Sequence, residues 1–146
     1  MSVNTIFKNA VVPFTPEQMF ALVNDVRAYP EFLPHCIDTC VIENYPNYMI
    51  ASMTLKRAAI SITLTTRNEL IPYREIRLRL IDGPLSSLEG LWQFDAIGDC
   101  GCEVSLRLQF AMKSKWMHLA TNALFESLAN QLVGCIIQRA KKVYDE

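Results

Sequence analysis

His35 and Cys36 are adjacent, with Cys40 close behind, and they form the first cluster of reactive side chains in this chain of 146 residues. A thiol beside an imidazole can serve as nucleophile and base, and two cysteines with a histidine can ligate zinc. Spacing argues against both. Neighbours on an extended chain point to opposite faces, so His35 cannot take the proton from Cys36. The cysteines at 36, 40, 100, 102 and 135 lack the paired Cys-x-x-Cys spacing of a zinc framework. Five is an odd count, and free, mostly buried thiols are the expectation. The second histidine, His118, falls on a long helical segment far along the chain. Acidic residues sit mostly at turns or on polar strand positions, so no shielded carboxylate pair for acid–base work emerges. No catalytic residue and no metal site are expected.

Arginines are the remaining candidates. Arg57, Arg67, Arg77 and Arg79 lie on or beside strands whose alternation places them partly on a wet face, where they could touch an anionic partner such as lipid head groups or ribosomal RNA. Glu69, Glu75 and Glu103 dilute that field. With a net charge of −1, the chain has no global basic surface of the kind that would call for DNA.

The elements that must position these residues follow from periodicity. Val3 to Val12 is β-branched and apolar and stops at Pro13, as an edge or terminal strand would. Thr15-Pro16-Glu17-Gln18 is a helix start: Thr15 caps, Pro16 has no N–H to lose, and Gln18 completes a capping box. Met19, Phe20, Leu22 and Val23 form the apolar face, and the helix should end near Asn24 or Asp25. In the stretch that follows, NDVRAYPEFLPHC, Pro30 suits the first turn of a second, very short helix and Pro34 stops it. That geometry should aim Phe32 and Leu33 at one end of whatever lies beneath the sheet, as a plug or gate.

Six strands are expected from Ile37 to Met112, broken at Tyr45-Pro46-Asn47, Arg57-Ala58-Ala59, Ile71-Pro72-Tyr73, Asp82-Gly83-Pro84 and Gly98-Asp99-Cys100-Gly101. Ile60, Ile62 and Leu64 alternate with Ser61, Thr63 and Thr65, and the runs around Leu78 and Leu106 behave likewise. One face is dry and the other wet, the mark of an antiparallel sheet covered on one side. From about Ser114 to Tyr144, Met117, Leu124, Leu128, Leu132, Ile136 and Val143 recur at helical spacing. That helix would run ~45 Å against ~28 Å for an eight-residue strand, so it alone can cover the sheet. The architecture is α+β: a curved seven-stranded antiparallel sheet around a long C-terminal helix, with two short helices after the first strand, all in one domain over 1–146. Gly83, Pro84 and Gly90 are placed to bend the sheet away from the helix.

Several motifs then fall into order: Asn24-Asp25-Val26, Tyr29-Pro30, Phe32-Leu33-Pro34 and Cys36; Thr65-Thr66-Arg67-Asn68; Leu80-x-Asp82-Gly83-Pro84 with Leu88, Gly90, Trp92 and Phe94; and Arg139-Ala140 with Val143-Tyr144. Together they resemble the signature of the coenzyme Q-binding START-like family. The resemblance implies a helix-grip fold with an apolar tunnel between sheet and helix, and a non-enzymatic role in which ubiquinone or another polyprenyl quinone is carried in support of respiration. It implies no required cofactor beyond that ligand. On this reading the tunnel is lined by Met53, Ile62, Leu64, Leu78, Leu80, Trp92 and Phe94 from the sheet and by Phe125, Leu128 and Leu132 from the helix, with Phe32 and Leu33 at its end. A bacterial branch of the family implies an alternative, a toxin that binds the large ribosomal subunit and blocks subunit joining. Distant relatives include polyketide cyclases, a third and weaker prospect.

No apolar run approaches the ~20 residues that cross a bilayer. The opening MSVNTIFKNAVVPF has no secretory pattern, so a cytoplasmic protein, with transient contact at the inner membrane, is expected.

Overall fold

The computed structural model describes residues 3–112 and 119–144. The expected start at Ser114, Met117 and His118 lie outside the described residues. Strand β1 (Asn4–Val12) leads into helix α1 (Pro16–Asn24), a 3-10 helix (Val26–Glu31), strands β2 (Cys36–Tyr45), β3 (Tyr48–Arg57), β4 (Ile60–Ile71), β5 (Glu75–Asp82), β6 (Leu85–Ile97) and β7 (Gly101–Met112), and helix α2 (Leu119–Tyr144). The seven strands form one sheet in the order β1-β7-β6-β5-β4-β3-β2, antiparallel throughout.

Local chemistry explains how the chain enters and leaves α1. The Gln18 N–H donates to Thr15 Oγ1 at 3.1 Å, and the Thr15 N–H donates to Gln18 Oε1 at 2.9 Å. Two amides at the positive end of the helix are thereby satisfied. At the other end the Asp25 N–H reaches back to Ala21 O and Leu22 O at 3.1 and 3.3 Å.

The short second helix differs from expectation at its start. It begins at Val26, and Pro30 sits near its end instead of in its first turn. The Ala28 N–H already bonds Asp25 O at 3.2 Å, so the turn is formed before the proline is reached. Lacking an N–H, Pro30 is tolerated only because so short a helix demands little of it.

Helix α2 lays Leu124, Phe125, Leu128, Ala129, Val133, Ile136 and Ala140 on the dry face of the sheet. Val143, expected on that face, is 43% exposed. The inward seam steps by four from Ile136 to Ala140 to Tyr144, which leaves Val143 turned away by about 100°. Tyr144 takes the inward place, with its ring 5.9 Å from Phe14 and its hydroxyl donating to Gln18 O at 2.9 Å.

The glycines expected to bend the sheet lie at close approaches. Gly83 adopts φ +152, a region costly for any side chain. Gly90 pairs with Leu78 on β5 and Leu108 on β7, and a Cβ there would lie 2.7 Å from Leu108 Cδ2 and 3.0 Å from Leu78 Cδ1.

Candidate functional site

A cavity of about 90 Å³ lies between the sheet and the first half of α2. Its wall is built by alternation. Met53 on β3, Leu64 on β4, Ile76 and Leu78 on β5, Trp92 on β6 and Leu108 on β7 all point from the dry face. The helix contributes Phe125, Leu128, Ala129 and Leu132, which recur at three-and-four spacing. Val26 and Tyr29 close one side. Tyr29 is held there by its hydroxyl, which donates to Val23 O, and burial pushes that phenol well above its ordinary range.

Seven of the residues expected to line a tunnel are in this wall: Met53, Leu64, Leu78, Trp92, Phe125, Leu128 and Leu132. Five are not. Ile62 is buried, but farther along β4, past Leu64 toward the β3–β4 turn. Leu80 packs by Gly83, where its Cδ1 would be 3.4 Å from an added Cβ. Phe94 stacks on Trp92 at 6.2 Å and meets Phe20 edge-on at 5.8 Å, so it joins sheet to α1.

Leu33 is in the core and Phe32 is half-buried, and neither reaches the cavity. Val26 and Tyr29 share a face because side chains three apart eclipse in a 3-10 helix. Phe32 would continue that row, but at φ −141 the helix has ended. Its ring meets Tyr29 edge-on at 5.7 Å and sits under the Arg139 guanidinium at 5.2 Å, in an outer groove beside α2. Tyr29 holds the place expected of Phe32.

The wall also contains polar groups that periodicity alone does not announce: Asn24, Ser52, Thr66 and Asn68. Asn68 is only 6% exposed. Thr66 Oγ1 donates to its Oδ1 at 2.7 Å. Asn24 Oδ1 is buried and unpartnered among the described residues. The signal was present in β4, where Asn68 falls in register with Ile62, Leu64 and Leu70 on the dry face, an unexplained polar residue at an apolar position.

The arginines behave as a solvated face. Arg67 pairs with Glu69 at 2.6 Å and lies 3.9 Å above the Tyr48 ring; Arg77 pairs with Glu75 at 3.0 Å. Arg79 is exposed and has no ion pair among the described residues, and Arg57 is exposed at the end of β3. His35 is exposed at φ 67 while Cys36 is buried, its thiol raised above the ordinary range by burial. Among the described residues no group of His, Cys, Asp and Glu could hold a metal ion.

A sheet gripping one helix over an apolar cavity has known counterparts. The family described as polyketide cyclase / dehydrase and lipid transport matches residues 12–136. The chain belongs to this START-like family. A curated relative from Vibrio cholerae, "Ribosome association toxin RatA", is 44% identical over 141 residues, covering 97% of this chain and 98% of the relative. "Coenzyme Q-binding protein COQ10 homolog B, mitochondrial" from Xenopus laevis is 25% identical over 142 residues, covering 94% of this chain and 58% of that protein. Among solved structures, the Zhui aromatase/cyclase from Streptomyces sp. R1128 superposes with a TM-score of 0.83 at 15% identity, covering 97% of this chain and 95% of that one. At that identity the likeness speaks for the helix-grip fold alone. Membership in the START-like family and the seven-stranded helix-grip architecture are thus as the sequence led us to expect. Among the described residues no helix is long and apolar enough to cross a membrane.

Proposed function

We propose that this START-like chain binds an apolar ligand with a compact polar head, a polyprenyl quinone such as ubiquinone, between sheet and α2, and carries it in support of respiratory electron transport. The observation that carries the reading is the cavity wall, apolar except for a polar cluster that includes Thr66 and Asn68. The wall contains no carboxylate, imidazole, thiol or cationic side chain among the described residues, which supports binding over cyclase-like acid–base chemistry. The named role of the Xenopus relative supports the quinone. Transient contact with the inner membrane from the cytoplasm would be the route of exchange.

At about 90 Å³ the cavity is smaller than the ~150 Å³ void that takes benzene, and far below the ~300 Å³ where ligand pockets begin. Binding therefore requires the wall to open. Met53, Leu78 and Leu132, the apolar wall residues that keep some solvent exposure, mark where it would part. Burial of an isoprenoid chain, at ~25 cal/mol per Å² of apolar surface, supplies the driving force. Protein purified from membrane-containing cells should carry quinone by mass spectrometry, and added short-chain quinone should raise its melting temperature. Absence of both effects defeats the reading.

The second reading is ribosome association, favoured by the 44% identity to the Vibrio cholerae toxin over nearly the whole of both chains. The large ribosomal subunit would be the partner, with the arginine face around Arg57 and Arg79 or the outside of α2 as the contact. Co-sedimentation with purified large subunits at low salt tests it; protein that stays at the top of the gradient ends it.

A further inference from the structure

A second space backs onto the cavity wall. It is an open groove of about 480 Å³ between Phe32, just past the 3-10 helix, and the outer flank of α2, well within the ~300–1,000 Å³ range of ligand sites. Gln131, Gly134, Cys135 and Gln138 recur at three-and-four spacing and line one side as a stripe. The Phe32 ring, unused by the cavity, lines the other. Gly134 leaves the middle open, since a Cβ there would meet nothing within 4 Å. One end is cationic. Arg139 and Lys142, one turn apart, line it, and no carboxylate does. Arg139 is held over Phe32 at 5.2 Å with Glu31 at 3.1 Å, while Lys142 is exposed and has no ion pair among the described residues.

A channel with an uncharged floor and two cations at one end matches an amphiphile with an anionic head. We infer that the groove seats an anionic phospholipid of a bilayer, with an acyl chain along Phe32, Gly134 and Cys135 and the phosphate at Arg139 and Lys142. Buried methylenes and cations at an anionic surface both add to such an attachment. The net charge of −1 gives the whole chain no attraction to that surface, so the local pair must supply it. RNA fits the groove less well. A stacked base needs a free aromatic face, and the Phe32 ring lies under the Arg139 guanidinium and against Tyr29 at 5.7 Å. Position gives the groove its use: Tyr29 and Leu132 line the cavity, while their neighbours Phe32 and Gln131 line the groove. A lipid held here brings the bilayer against Leu132, one of the places where the wall would part. This rests on the quinone reading and deepens its membrane exchange to a surface and a lipid charge.

The test floats the full chain with vesicles of phosphatidylcholine alone and of an equal mixture with phosphatidylglycerol. The anionic vesicles should bind about 30-fold tighter, about fivefold for each of the two cations. Lys142→Gln should lower that preference about fivefold, whereas Lys56→Gln, the same loss of charge at an exposed site near the end of β3, should leave it unchanged. Gly134→Glu places a carboxylate in open space and should remove most of the preference without lowering the melting temperature. Equal binding of the two vesicles by the wild-type chain overturns the inference, as does a preference that survives both Lys142→Gln and Gly134→Glu. Binding to polyuridylate that Gly134→Glu abolishes while vesicle binding persists would give the groove to RNA and overturn it as well. The quinone reading is scored separately, by the melting-temperature shift with short-chain quinone in the absence of vesicles. Loss of that shift with the vesicle preference intact defeats the quinone reading alone; the reverse defeats the groove alone.

Discussion

Gly90→Ala separates the cost of closing the cavity from the cost of unfolding the protein. The new Cβ would stand 2.7 Å from Leu108 Cδ2 and 3.0 Å from Leu78 Cδ1, both the far ends of flexible side chains. The two leucines must turn, and the nearest free volume is the cavity that both already line. Alanine regains about 0.5–1 kcal/mol of chain entropy relative to glycine in a strand. Two leucines driven off their rotamers cost about 0.5–1.5 kcal/mol each. The net loss of stability in the empty protein is therefore about 0–2.5 kcal/mol, a value that urea denaturation measures. In the complex the leucines have nowhere to go, and overpacking of about 1–3 kcal/mol falls on binding, a weakening of about 5- to 150-fold. Quenching of Trp92 fluorescence by a short-chain quinone reads the affinity once the second tryptophan, Trp116, is replaced by phenylalanine. Wild-type affinity in a folded Gly90→Ala would refute the reasoning, since a ligand in the cavity would meet the displaced leucines.

Two further outcomes follow from burial. The Tyr29 phenol titrates above its ordinary value of 10 because it is buried, so above about pH 10 the unfolded chain releases a proton that the folded chain keeps. Stability from this residue is fully present below that pH and should fall by about 1.4 kcal/mol per pH unit above it. Tyr29→Phe should flatten this part of the alkaline limb, while costing about 1 kcal/mol at neutral pH for the lost bond to Val23 O; an alkaline limb of unchanged slope in urea melts at pH 10–11 would refute the assignment. Iodoacetamide at pH 8 should label the exposed Cys40 and Cys100 first and leave Cys36 and Cys102 unmodified until denaturant is added. Burial pushes the Cys102 thiol up to about 11, so labelling of Cys102 as fast as Cys100, read by peptide mass spectrometry, would contradict its place in the core.

Strand and helix positions were legible because each rests on a local rule. The Thr15–Gln18 box needs four residues, and the alternation in β4 and β7 needs a dozen at most. Where the reading slipped, the cause was longer in range. Proline chemistry places Pro30 at a helix start only if nothing upstream has already turned the chain, and the Asp25–Ala28 bond had. Val143 fails because the helical seam is set by Ile136 and Ala140 packing on the sheet, which composition cannot show.

The cavity was legible as a face but not as a volume. Alternation says that Ile62, Leu64, Phe94 and Trp92 point inward; it does not say where the helix lifts off the sheet. That depends on how α2 is anchored. Its second half is tied down by the Tyr144 bond to Gln18 O, the Phe14–Tyr144 ring contact and the Arg139–Glu31 ion pair at 3.1 Å. The cavity lies instead under Phe125, Leu128, Ala129 and Leu132, before those ties begin. Exposed ion pairs contribute little individually, so it is the joint anchoring to α1 and the 3-10 helix that makes one half of α2 the fixed end. Ile62 and Phe94, equally apolar and equally inward, therefore pack beyond the cavity, while Leu64 and Trp92 line it.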